Sequence, residues 1–368
     1  MKRIQTPAQS VRIVVIVAGA IIALFLLFRE RPSTKGGASE PPSSRIDEVA
    51  AERNAENDAP MALPSLRDAS THMASAGARR AEVINYIVAS WGSGLHELGH
   101  LRQQEASPEG PMSLAVGSDG RAFLLDQVNA RIVRYGVDGK PEKAIKIAQR
   151  GAQDVAIAAD GSIAVLDRLV TKSVTIYDSE GAPRGSLPLG SGAENPATAT
   201  ALLIDGPDVY VEFEHRLLVN IGDIFGVPAS GRAELQGRPS RDGTLMVSAG
   251  IGNRAAGSLW VAAIDRGTKQ RRFIRELESG APLRSIAMLD SDRRGVIYLA
   301  YEVVGSAGSD AMRVVCIAPS GDVINTVTLP ANTLPEETFR DFAVLDSGGV
   351  LYTLRSERGV TVERIDCR

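Results

Sequence analysis

Three features of the 368-residue chain predict an all-β fold, a six-bladed β-propeller preceded by one N-terminal transmembrane helix and a disordered linker. A meander of alternating apolar and polar residues recurs with a period of 41 residues. A strand-like segment, 82–90, stands alone before the first recurrence, placed to close a ring. A charge-free apolar run, 13–28, lies near the N-terminus. Composition narrows the classes further. Hydrophobic residues at 44% and charged residues at 23% are globular proportions. A net charge of −3, from 41 Lys+Arg and 44 Asp+Glu, argues against a dedicated nucleic-acid binder. Two cysteines exclude a disulfide-rich scaffold and a Cys-only zinc site, and four histidines leave little for multi-metal chemistry.

The N-terminal run opens on Ile13 and closes on Phe28, between Arg12 and the triplet Arg29, Glu30, Arg31. Sixteen helical residues span about 24 Å, enough for the hydrocarbon core if the flanking arginines snorkel. The run ends directly in charges and no small-residue cleavage site follows at once, which favours an uncleaved signal anchor (residues 1–31) over secretion after signal cleavage. Lys2, Arg3 and Arg12 are nearly balanced by Arg29, Arg31, Lys35 and Arg45. The short leading tail favours N-terminus in, with the C-terminal bulk outside the cytoplasm, in a periplasm or on a cell surface. Residues 32–81 carry Pro32, Pro41, Pro42, Pro60 and Pro64 and few large apolar side chains, so they read as a flexible linker.

The propeller is expected over residues 82–368. Residues 113–140 read SLAVGSDGRAFLLDQVNARIVRYGVDGK, and residues 153–181 read QDVAIAADGSIAVLDRLVTKSVTIYDSEG. Asp119-Gly120 aligns with Asp160-Gly161, Asp126 with Asp167, and Tyr135 with Tyr177. Each Asp-Gly supplies the positive φ that a tight hairpin turn requires. Weaker units follow at 201–221, 240–273, 283–328 and 339–365, giving six units of about 43 residues, the size of one blade. The last unit ends after its third strand. Its missing fourth strand is expected from EVINYIVAS, 82–90, paired with 360–365.

Trp91-Gly92-Ser93-Gly94, Pro111 and the first unit together resemble the NHL-repeat family of six-bladed propellers. Asp126, Asn129, Arg131, Ile132 and Tyr135 keep that family's register; the second unit keeps Asp160, Gly161, Asp167 and Tyr177 but loses the Asn-x-Arg step. The resemblance covers about fifty residues. It implies a binding platform in most members and an enzyme in some, with Asp126, Asn129 and Arg131 hydrogen-bonding their own blade turn.

One chemical motif stands out. His96-Glu97-Leu98-Gly99-His100 matches H-E-x-x-H, in which two histidines on one helix face bind zinc and the glutamate activates a metal-bound water. Gly92, Gly94 and Gly99 disfavour the helix it needs, and Pro108 and Pro111 bound it closely. Gln103 and Ala106 stand where a metzincin extension places Gly and His. Glu105 is a further possible carboxylate ligand, whereas His72 in the linker and His215 in an expected strand are poor third ligands. The motif is therefore expected to be a chance match in a loop, with no catalytic, cofactor or metal residue assigned. Asp290-Ser291-Asp292 with Gly295 reads as a turn, since Arg294 and Tyr301 break a calcium loop. Cys316 and Cys367 are free to pair in an oxidising compartment or to be buried as small apolar residues. The function expected is a membrane-tethered extracytoplasmic module that binds a protein or a small ligand without catalysis and without a cofactor. The alternatives are a zinc-dependent hydrolase at 96–100 and a propeller hydrolase with a site in the central channel.

Overall fold

Alternation at period two, cut by Gly-containing turns, yields short antiparallel strands that bury both faces only when sheet packs on sheet. A computed structural model of the chain describes residues 82–104, 107–191, 195–305 and 310–367. The runs 13–28 and 32–81, and Glu105, lie outside the described residues. The described chain forms six antiparallel meanders, all within the unit 69–368. Blade 1 uses Ser113–Val116, Ala122–Asp126, Arg131–Tyr135 and Pro141–Lys146. Blade 2 repeats this pattern over 154–188, blade 3 over 199–235, blade 4 over 238–278 and blade 5 over 283–330.

Blade 6 takes Phe342–Val344, Val350–Ser356 and Gly359–Ile365 from the C-terminus and Val83–Trp91 from the far end of the domain. Val83 stands opposite Ile365 and Ser90 opposite Gly359, which is the ring-closing pairing expected for 82–90. A Cβ at Gly359, where φ is +150°, would run into the carbonyl oxygen of Ala89, so the outer strand approaches this closely only over glycine. Gly139, at φ +75° in blade 1, has the same relation to the carbonyl of Tyr86, whose hydroxyl donates to Gly136 O at 2.8 Å. The seam is thereby fixed to blade 6 by the ladder and to blade 1 by a turn.

The core lies between adjacent sheets. Ile87 and Ala89 of the seam strand are buried among Leu114, Leu124 and Val133 of blade 1 and Leu351, Val360 and Val362 of blade 6. Full burial of a side chain the size of Ile87 contributes roughly 1.5–3 kcal/mol. Blades 5 and 6 share a second such layer, and a Cys316–Cys367 disulfide crosses it, joining a blade 5 strand to the chain just beyond the last strand of blade 6. That bond spans 51 residues of sequence. Breaking it by Cys316→Ser with Cys367→Ser is expected to lower unfolding free energy by about 2–4 kcal/mol in a urea titration, with the native circular dichroism spectrum retained.

Candidate functional site

The first strand of every blade borders the ring axis, and the turns that follow those strands surround one mouth of the axial channel. The mouth opens into a cavity of about 260 Å³ to which all six blades contribute. Its lining includes the apolar side chains of Ala115, Ile157, Ala287, Met288, Phe342 and Ala343, with Arg340 among them. Its rim is charged, with Asp205, Arg238, Arg241, Asp290, Arg293 and Asp346. A groove of about 380 Å³ leads from it between blades 1 and 2, sharing Ser118, Ile157, Ala158 and Ala159. Val83 is level with Ile365 and Val350, next to the 345–349 turn, so the chain joins the ring on the face that carries this mouth.

The rim charges join one blade to the next. Arg241 of blade 4 reaches Asp290 of blade 5 at 2.8 Å and Asp346 of blade 6 at 2.9 Å. Arg293 of blade 5 also meets Asp346, at 2.5 Å, and Arg266 of blade 4 meets Asp205 of blade 3 at 2.5 Å. Burial pushes the Asp290 carboxyl up, but Arg241 and then Arg238 hold it below the usual carboxylate range. Deeper in the channel Arg340 crosses from blade 6 to Asp154 of blade 2 at 2.5 Å and to the Leu202 carbonyl of blade 3 at 2.7 Å. Asp154 is fully buried and also accepts from Ser113 of blade 1 and the Leu202 amide. Four blades meet at this one carboxylate. None of these rim residues was singled out as functional from sequence, because an Arg or Asp beside a turn glycine reads the same whether it faces solvent or a channel.

The H-E-x-x-H segment is not a helix. Residues 92–96 form turns, and Glu97–Leu98 is a two-residue strand that extends blade 6 in parallel with Trp91. His96 is exposed in the turn. The Glu97 carboxylate accepts from the amides of Ser93 and Gly94, closing that turn. His100 stacks on Trp91, ring centroids 4.3 Å apart, and its Nε2 lies 2.7 Å from Glu336. Glu97 and His100 thus meet different partners, and His96 faces solvent. Among the described residues no group of three or more His, Cys, Asp or Glu side chains is placed to hold a metal ion. His215 is in the turn between two blade 3 strands, at φ +55°, and not in a strand as its sequence context suggested.

Asp126, Asn129 and Arg131 do bond within their own turn: Asp126 accepts from Asn129 at 2.8 Å and from Arg131 at 2.7 Å. They also reach further than the sequence implied. Asp126 accepts from the Gly99 amide, Asn129 donates to Gly92 O, and Arg131 donates to the carbonyls of Ser93, Gly94 and Glu97. The trio therefore clamps the connection from blade 6 to blade 1. Blade 2 lacks the Asn-x-Arg step, and there Asp167 only caps the amides of Leu169 and Val170.

No family model and no curated protein sequence matches the chain. Solved propeller structures are similar to it at low identity. Hydrazine synthase of Kuenenia stuttgartiensis is 15% identical with a TM-score of 0.46, over 72% of this chain and 80% of that one. The WD40 repeats of RRP9 are 14% identical with a TM-score of 0.45, over 78% of this chain and 100% of that one. Streptogramin B lyase is 9% identical with a TM-score of 0.40, over 78% and 98%. The class defined is a six-bladed β-propeller.

Two measurements check these roles. Asp126→Ala leaves Arg131 buried without its carboxylate and is expected to cost about 3–5 kcal/mol in chemical denaturation. Burial pushes the Glu336 carboxyl up, but His100 and Arg102 outweigh it and hold the group below its ordinary range. Its stabilising contribution is thus complete above the ordinary carboxylate pKa and is lost as pH falls through the lowered value. Glu336→Gln is expected to lower the melting temperature at pH 7 and to flatten its decline toward pH 3.

Proposed function

We propose that this chain is a non-catalytic binding propeller of NHL type, held at a membrane by residues 13–28 with its propeller outside the cytoplasm. The binding reading rests on one observation, an axial cavity in which apolar side chains sit beside a few convergent charged groups, the combination that ligand sites use. The Cys316–Cys367 pair supports an oxidising compartment, since such bonds persist outside the reducing cytosol. The match of Trp91-Gly92-Ser93-Gly94 and the Asp126, Asn129, Arg131 set to the NHL pattern supports the repeat type. In this reading His96, Glu97 and His100 are structural, and the partner is a protein or a small ligand that meets the channel mouth.

Full-length protein in isolated membranes tests it. The chain is expected to stay in the pellet through alkaline carbonate extraction and to take up no maleimide-polyethylene glycol until it is reduced, then two equivalents. Release into the supernatant, or labelling without reduction, overturns the anchored extracytoplasmic reading. Elemental analysis of the same sample is expected to find no stoichiometric zinc; one zinc per chain, lost in a His96→Ala variant, restores the hydrolase alternative.

A further inference from the structure

The rim of the axial cavity has hydrogen-bond donors to spare, while each of its carboxylate oxygens is already paired with a donor. Each guanidinium carries five N–H groups in a planar fork. Every rim carboxylate oxygen already has an arginine donor: Asp205 accepts from Arg266 on both oxygens, Asp290 accepts from Arg241 on both and also from the Ser291 amide, and Asp346 accepts from Arg241 on one oxygen and Arg293 on the other. On the donor side, Arg293 uses only Nε toward Asp346, and its side chain is 58% exposed. Arg238 has a long ion pair, 3.8 Å from Glu212, and contributes charge to Asp290 without a direct bond. Both arginines line the same cavity as Ala115, Ile157, Met288 and Phe342, and Arg340, held by Asp154, lines it too.

Such a site discriminates by chemistry. A cation would meet exposed guanidinium groups and carboxylates whose charge is already paired with arginine. An uncharged apolar molecule would fill the walls and leave the rim donors to water. An oxyanion on an apolar body satisfies both layers, because hydrogen bonds between ionised groups are the strong ones and the hydrocarbon leaves water for the walls. We infer that the axial cavity binds a small amphipathic acid, its short apolar body against Ile157, Met288 and Phe342 and its terminal oxyanion on the N–H groups of Arg238 and Arg293. The inference names the ligand class for the binding reading above and does not depend on the membrane anchor.

Calorimetric titration of the full chain in low salt tests it with hexanoate, butyl phosphate and hexanol as probes. One molecule of hexanoate is expected to bind per chain, at least about tenfold more tightly than hexanol, the scale of one charged hydrogen bond. Tighter binding of butyl phosphate than of hexanoate, with the same arginine dependence, also supports the site and assigns its oxyanion as phosphoryl. The double variant Arg238→Met with Arg293→Met is expected to lose about tenfold or more for the anions and nothing for hexanol. Arg293→Lys alone, which keeps the charge but not the fork, is expected to lose less, and it replaces the double variant if that one fails to fold. The inference is overturned if neither anion binds below about 10 mM, if hexanol matches hexanoate, or if a folded variant keeps the parent affinity. A failure here leaves the anchor and the disulfide results standing, and a failure of those leaves this titration unaffected.

Discussion

Every blade of a closed ring packs on two neighbours, so the pairing of Val83–Trp91 with Gly359–Ile365 is the constraint on which all six sheets depend. Without it blade 6 is a three-stranded sheet with an open edge, and the layer of Ile87 against Leu114 and Val362 is lost. The chain secures that seam in three chemically distinct ways. Backbone ladders close the strand pair, glycines at 139 and 359 allow the strand to approach its neighbours closely, and a disulfide holds the C-terminus to blade 5. The Asp126 cluster adds a fourth, tying the loop that follows the seam strand to blade 1.

Charge in this molecule is spent mostly between blades. Arg241, Arg266, Arg293 and Arg340 each reach a carboxylate on another sheet, and Arg340 draws four blades toward the buried Asp154. Removing one partner of such a pair leaves a desolvated charge, which is why these contacts lock the relative placement of sheets even where their net contribution to stability is small. Their placement also shapes the cavity. Guanidinium groups committed to cross-ring bonds are held in fixed positions, and the donors they do not use are presented to whatever occupies the mouth. Architecture and recognition chemistry therefore share the same residues.

The H-E-x-x-H segment shows how strongly context governs a motif. Zinc chemistry needs both histidines on one helix face, and the glycines around them give turns and a two-residue strand instead. Glu97 closes a turn, His100 packs between Trp91 and Glu336, and His96 stays in solvent. The five letters match a catalytic pattern, but in three dimensions Glu97 and His100 engage different partners and His96 faces solvent.

Blade number and the ring-closing strand were legible in the order of residues, because period-two alternation and Asp-Gly turns are local signals. The boundaries were not: the outer strands Pro141–Lys146, Pro183–Pro188 and Glu234–Leu235 lie beyond the expected units 113–140, 153–181 and 201–221. The identities of Asp126, Asn129 and Arg131 did mark a bonded turn. Their reach to Gly92, Ser93 and Gly99 was not visible, since it depends on a connection from another blade. Nor was the position of His215, where a three-residue turn interrupts an otherwise strand-like stretch. The axial cavity belongs wholly to the tertiary structure. Arg238, Arg293 and Phe342 span more than a hundred residues of sequence and converge only when the ring closes. The sequence by itself determined the repeating sheet, whose causes lie within a few residues; tertiary structure alone decided the site, because a channel is made by all six blades at once.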